Sequence, residues 1–215
     1  MVERVLVAIG RRSNLDRLDL TAAGIALDAR GMPEFDPATM QIAGQRIFIA
    51  GDANGDRPLM HEAADEGAIA GYNASRAETT RFARRVSLGI AFTSPDIVSV
   101  GARYDQLNPE AVVIGMAEGA GNGRSSIVHG ENSLIRIYAD ARSGRLLGAS
   151  LFAIGGEHLA HLLAWAIQRG ETVGTLLQLP FYHPVLEEML QSALQSMAAK
   201  LPASGPLPGL VVAQD

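Results

Sequence analysis

The sequence predicts an α+β protein in two parts, on three observations. The first third sets short apolar runs, each stopped by turn residues, around one alanine- and glycine-rich helical segment. From about residue 87, several short strand-like runs follow one another, separated by Gly, Pro and Asp turn signals. Two amphipathic helical segments then close the chain. The chain has 215 residues, 47% of them hydrophobic and 19% charged, with a net charge of −5, which suits one large domain or two small ones with a real core.

Composition also narrows the function. An acidic balance without a basic cluster points away from nucleic acid. The longest apolar run near the start, Val5 to Ile9, is too short to span a membrane or to form a signal-peptide core, so a cytoplasmic protein with no membrane partner is expected. There is no cysteine, which rules out disulfides, thiolate metal sites and a cysteine nucleophile within these residues. Of the five histidines only His158 and His161 share a helical face, and nothing supports them as ligands, so no metal site is expected.

Taken in order, Val5 to Ile9 ends in Gly10 and reads as a buried strand. No strand and helix precede it, so the opening reads as an excerpt from a larger fold. Ile47-Phe48-Ile49-Ala50 is the clearest strand of the first third and stops at Gly51-Asp52. Open α/β sheets bind ligands at the carboxyl ends of strands, where an aspartate can accept from ribose-like hydroxyls; the same pair also favours a plain turn. Residues 59–71 read as a helix whose small side chains permit close approach to a ligand or simply tight packing, and whose N-terminus can direct amides at an electronegative atom. A polar, basic connection from Asn73 to Arg85 holds the domain boundary, placed near residue 82.

Ser87 to Phe92 and Ile97 to Gly101 read as two strands about a Ser-Pro-Asp turn, and Ala111 to Ala117 as another strand. Residues 118–124 carry glycines at 119, 121 and 123, but Arg124 stands where the third glycine of a dinucleotide fingerprint belongs, so they read as a loop. Leu134 to Asp140 and Leu146 to Phe152 form a hairpin. Leu159, Leu162, Leu163, Ala166 and Ile167 fall at helical spacing before Gly170. The last helix is predicted from Pro184 toward Lys200, and its broad apolar surface, with Leu186, Leu190, Ala193 and Met197 on one stripe, suggests burial against a partner subunit. The Pro- and Gly-rich tail, 202–215, is expected to be mobile.

The chemistry-bearing stretch is Phe181-Tyr182-His183-Pro184-Val185-Leu186-Glu187-Glu188. Proline suits a first helical position, which puts His183 at the helix mouth. Read locally, His183 caps the helix and the two acids complement its dipole. If instead a carboxylate takes the Nδ1 hydrogen, Nε2 is left as a proton acceptor near neutral pH, the general-base arrangement.

In combination these motifs resemble the pyridine nucleotide-disulfide oxidoreductases. Val5 to Asn14, then Ile47 to Asp52 and the helix from Leu59, are similar to a flavin-contacting region of that family. The order of strands, hairpin, helix, His-Pro and helix resembles the interface domain of dihydrolipoyl dehydrogenases and glutathione reductases, as does the Ser-Pro-Asp turn ahead of Ser99-Val100-Gly101. The resemblance implies a C-terminal piece of a flavin-binding α/β domain (1–82), an antiparallel-sheet-plus-helices dimerisation domain (83–201) and a flexible tail (202–215). It further implies a partial FAD site at Gly51, Asp52, Leu59, Met60, His61, Glu62 and Ala63, with Asp52 on the ribityl and pyrophosphate region. The amides around Met60, His61 and Glu62 would face the flavin ring.

By the same resemblance His183 and Glu188 form a catalytic acid/base pair for dithiol/disulfide exchange, with Glu187 as structural neighbour. The base would serve a thiol of the partner subunit in a homodimer, with NAD as the further cofactor and a dihydrolipoamide-type dithiol as substrate. A glutathione reductase-like enzyme and a non-catalytic dimerisation module are the alternatives. The chain lacks a cysteine pair, a first glycine-rich flavin fingerprint and an NAD unit. It is therefore expected to be the C-terminal fragment of a longer enzyme, with Met1 not its natural start, and to be inactive alone as a disulfide reductase. Val185 stands where the family usually has threonine, which marks a divergent member.

Overall fold

A computed structural model describes residues 2–202 and 209–211. Two units separate by their internal contacts, Met1–Arg84 and Arg85–Asp215.

The first unit has little regular structure. A two-stranded ribbon pairs β1 (Phe35–Asp36) with β2 (Gln41–Ile42), and one long helix, α1 (Met60–Ala74), follows a 3-10 turn at Gly51–Asn54. Leu15, Ile25, Ile42 and Ile49 form a small buried cluster, with Leu20, Met32, Phe35 and Ala53 packed around it. Two predicted strands are absent. Val5 to Ile9 is not a strand: Val5, Leu6, Val7 and Ile9 are 70 to 94% exposed, because no neighbouring strand among the described residues offers a ladder to their amides and carbonyls. An apolar run codes for a strand only where a partner is present. Ile47 to Ala50 makes no strand either; Ile42 N–H bonds to the Ile47 carbonyl and Ile49 N–H to Met40, leaving a single bridge between Gln41 and Phe48. Ile42 and Ile49 still reach the same cluster, so the apolar pattern is obeyed where the ladder is not.

In the second unit, β3 (Leu88–Ala91), β4 (Asp96–Gly101), β5 (Val112–Glu118), β6 (Leu134–Asp140) and β7 (Leu146–Ala153) form one antiparallel sheet in the order β3-β4-β7-β6-β5. The predicted hairpin is β6–β7, closed at its turn by the Asp140 carboxylate accepting from the Ser143 amide at 2.7 Å. Residues 119–127 are more ordered than the expected loop: a 3-10 turn at Gly119–Gly121 leads into a short helix, α2 (Gly123–Ile127). The helices α3 (Gly156–Arg169), α4 (Val173–Leu177) and α5 (Glu188–Ala198) complete the unit. Gly170, in the left-handed region, ends α3 as its sequence position predicts.

The final helix starts four residues later than predicted. Pro184 lies in a bend, joined to His183 by a cis peptide, and α5 begins at Glu188. Most of its apolar stripe is buried within the chain, which accounts for that surface without a partner subunit: Met189, Leu190, Ala193, Leu194 and Met197 lie in the core formed with the sheet and α3, with Leu186 partly buried against it. At roughly 1.5–3 kcal/mol for each large side chain, this burial is a main support of the unit. The helix lies so close to β5 that a Cβ on Gly115 would collide with the Ala193 carbonyl oxygen and the Met197 side chain. The expected mobile tail lies largely outside the described residues.

The close approach at Gly115 gives a direct test. Gly115→Ala should lower the unfolding free energy of the second unit by about 1–3 kcal/mol, the usual cost of overpacking. Gly89→Ala in β3, where an added Cβ meets nothing within 4 Å, should change it little. Urea denaturation of both variants measures the difference.

Candidate functional site

Two clusters of predicted site residues form, one in each unit. In the first, Gly51 has φ 72° and opens the 3-10 turn; its missing Cβ would stand 3.2 Å from that of Ala63, so the turn rests directly on α1. The fully buried Glu66 clamps the two together. Its Oε2 accepts from the Gly51 amide and from Asn54 Nδ2, both at 2.7 Å, and its Oε1 accepts from Arg84 Nη2 at 2.6 Å. Arg84 Nη2 also donates to Glu62 at 2.7 Å, and the other Glu62 oxygen accepts from Arg57 at 3.0 Å. Burial alone would raise the Glu62 carboxyl. The hydrogen bonds from Arg84 and Arg57 and their charges outweigh it and hold the group below its ordinary range. Burial pulls Arg84 the other way, and Glu62 and Glu66 reverse that too, raising its guanidinium.

Asp52 projects from this clamped turn, half exposed, with Arg11 at 2.8 Å. Arg11 also donates to the Pro58 carbonyl and Ser13 Oγ to that of Ala53, so the Gly-Arg-Arg-Ser segment and the Gly-Asp turn meet as a single feature. At the head of α1, Leu59 offers no side-chain cap, and Met60 and His61 are exposed. The N-cap residue therefore supplies no side-chain acceptor to the first-turn amides, which suits an electronegative ligand atom. Ala63 is different, since its amide bonds to Leu59 within the helix. The Glu62 side chain also turns inward to its arginines, so it can face a ligand only through its backbone.

In the second unit His183 stands in the irregular segment before α5, its side chain 78% exposed. Its Nδ1 lies 2.9 Å from Oε1 of Glu188, the first residue of α5. Glu188 Oε2 accepts from the Val185 amide at 3.0 Å, so both carboxylate oxygens are used. The bond to His183, then the Val185 amide, hold the Glu188 carboxyl below its ordinary range. With Nδ1 engaged by a carboxylate, a neutral ring keeps its hydrogen there and presents Nε2 as acceptor. Glu187 takes no part in the pair and instead borders an apolar hollow of about 690 Å³ lined by Leu162, Trp165, Leu179, Tyr182 and Leu190. His183 and Glu188 border a separate cleft of about 530 Å³ together with Met116, Glu118, Asn122 and Ser192.

Three contributors escaped the sequence reading. Glu66 could have been found as an acid one helical turn beyond Glu62, on a helix otherwise rich in small residues. Arg84 falls in the polar, basic connection from Asn73 to Arg85, which carries no local signal of a buried partner. Asn122 falls in the segment that reads as a loop, yet Asn three residues before Ser125 is an N-cap pattern. His158 lies 3.4 Å from Glu157, and His161 Nδ1 lies 2.7 Å from the Glu157 carbonyl oxygen. Among the described residues no group of three or more potential ligand side chains could hold a metal ion, and no helix is long and apolar enough to cross a membrane.

Residues 88–194 match the family model of the pyridine nucleotide-disulphide oxidoreductase dimerisation domain. The chain is 30% identical over 202 residues to a dihydrolipoyl dehydrogenase of Thermus scotoductus, covering 92% of this chain and 42% of that protein. It is 33% identical over 197 residues to that of Bacillus subtilis, covering 89% and 42%. Among solved structures, LpdA from Mycobacterium tuberculosis superposes with a TM-score of 0.74 at 26% identity, over 87% of this chain and 41% of that one. The chain thus spans about two fifths of the length of these relatives.

Both clusters make predictions. Arg84→Ala leaves Glu62 and Glu66 buried without their shared cation and should destabilise the first unit by about 3–5 kcal/mol, read from loss of hydrogen-exchange protection at the Gly51 amide. For Glu188 the folded titration lies below the unfolded one. Its stabilising contribution is therefore present above the ordinary glutamate range and is lost as pH falls through the lowered value. His183→Ala should raise the Glu188 midpoint toward that range in a 13C NMR titration; an unmoved midpoint would show that the pair is not formed in solution.

Proposed function

The chain belongs to the pyridine nucleotide-disulphide oxidoreductase family, and we propose that it contributes the dimer-forming half of a dihydrolipoyl dehydrogenase-like site. In this reading His183 is the acid/base, Glu188 its orienting carboxylate and a second copy of the chain the partner. The observation that carries the reading is the 2.9 Å contact between His183 Nδ1 and Glu188 on a ring that is otherwise largely exposed. Nε2 takes the proton of a dithiol, so that a thiolate, the competent nucleophile, attacks a disulfide sulfur; the imidazolium formed is stabilised by Glu188 and later returns the proton to the departing thiolate. No cysteine lies within these 215 residues, so the thiolate must come from elsewhere, and residues 1–215 alone are inactive in this reaction.

In the first unit Asp52, Gly51 and the amides at Met60, His61 and Glu62 would hold FAD, with Leu59 and Ala63 beside them. The clamped glycine turn and uncapped helix start support that fit. When bound, FAD would supply the two-electron relay between the dithiol and NAD. The chain's own residues do the rest: Asp52 accepts from hydroxyls and the α1 amides meet an electronegative atom.

In an active protein containing this chain, His183→Gln should lower turnover with dihydrolipoamide by roughly 10² to 10⁴, the usual contribution of a general base. The purified chain should sediment at twice its 22.7 kDa. A second reading, a non-catalytic dimerisation module, draws on the absence of cysteine. It predicts the same dimer but unchanged turnover in the glutamine variant.

A further inference from the structure

We infer that Asn122 is a positioning residue for the His183–Glu188 pair, setting the backbone of Val185 so that Glu188 meets the imidazole. The inference rests on the acid/base reading of that pair and adds a residue to it.

Asn122 is buried, and both ends of its side-chain amide are engaged. Its Nδ2 donates to the Val185 carbonyl at 2.9 Å, across 63 residues of sequence, and its Oδ1 accepts from the Ser125 amide at 2.8 Å. The two partners fix which way the amide lies: a backbone N–H requires the oxygen and a backbone carbonyl requires the NH₂. The carbonyl so held belongs to the residue whose own amide donates to Glu188 Oε2 at 3.0 Å, while Oε1 lies 2.9 Å from His183 Nδ1. Asn122, Val185, Glu188 and His183 therefore form one hydrogen-bonded chain, and Asn122 is its only member outside 183–188. The far end is anchored as well. Asn122 N–H bonds to the Gly119 carbonyl, the Asn122 carbonyl accepts from Ser126, and Ser125 Oγ lies 3.6 Å from Met189 Sδ on α5.

Residues 178–187 belong to no helix or strand apart from the Gln178 cap of α4 and the Glu187 cap of α5, so no ladder fixes Val185. Two side chains hold its peptide groups instead, one from each flank. Hydrogen bonds in such a linked chain support one another, so loss of the first loosens the last.

The test separates positioning from capping. Asn122→Ser keeps an oxygen able to cap the Ser125 amide but is too short to reach the Val185 carbonyl; Asn122→Ala loses both functions. In the 215-residue chain, both variants should speed exchange of the Val185 amide at least tenfold and raise the Glu188 carboxyl midpoint in a 13C NMR titration, while Ala, which also loses the cap, lowers the thermal midpoint further than Ser. A Ser variant with native exchange and an unmoved Glu188 would overturn the inference and leave Asn122 a cap alone. Glu188→Gln tests the underlying pair separately: if the His183 ring resonances titrate as in the parent chain, the acid/base reading fails whatever Asn122 does. Should the Ser variant fail to fold, the parent chain decides, since the inference requires a protected Val185 amide that Glu188→Ala exposes. An unprotected amide in the parent chain overturns it.

Discussion

The placement of His183 depends on the burial of α5 against the sheet. The histidine sits on irregular backbone, which has no geometry of its own to impose. What fixes it is a carboxylate at the first residue of a helix that is itself immobilised by Met189, Leu190, Ala193, Leu194 and Met197 in the core. The absence of a side chain at Gly115 permits that helix to lie against β5. An apolar packing decision some distance away thus sets a polar contact at the surface. The division of labour is common in proteins that show reactive groups to solvent, where rigid elements carry the precision and loops carry the exposure.

The first unit uses the opposite means. Its apolar cluster is small, and its key turn is fixed by charge: three acids and two arginines gather within α1 and the segments beside it, with Glu66 binding the backbone of the glycine turn directly. A buried ionic cluster of this kind gives limited net stability, since desolvation opposes attraction, yet it is intolerant of losing one member. It is therefore suited to holding a geometry. The turn that carries Asp52 is held by carboxylate and guanidinium groups at hydrogen-bonding distance, with little apolar packing to shift under it.

Sequence alone made the second unit legible, because its strands close on each other within the chain. The β6–β7 hairpin, the amphipathic α3 and its stop at Gly170 all follow from local signals that tertiary structure had no reason to override. The contact between His183 and Glu188 was expected from the family resemblance and not from local pattern, which left Glu187 and Glu188 both open; a five-residue offset is bridged here because the histidine lies outside the helix. The helix boundary was misread because proline at a first helical position is a statistical preference, and here Pro184 serves a bend. The strand at Val5 to Ile9 failed for a deeper reason. Hydrophobic runs encode burial only in the presence of whatever buries them, and that lies beyond local sequence. Asn122 and Glu66 carry local signals, an N-cap spacing and a helical-turn spacing, but the distant partners of Asn122, Glu66 and Arg84 lie 63, 15 and 18 positions away, which no window of neighbouring residues contains.

The apolar hollow beside α3 has an optical consequence. Trp165 is the chain's single tryptophan, it borders that hollow, and it is 62% exposed. Indole emission from the whole molecule therefore originates at one ring on one face. Whatever settles over Leu162, Leu179 and Tyr182 alters the polarity that this ring senses, so the chain carries a built-in fluorophore for contact at that surface, with no second indole to confuse the signal.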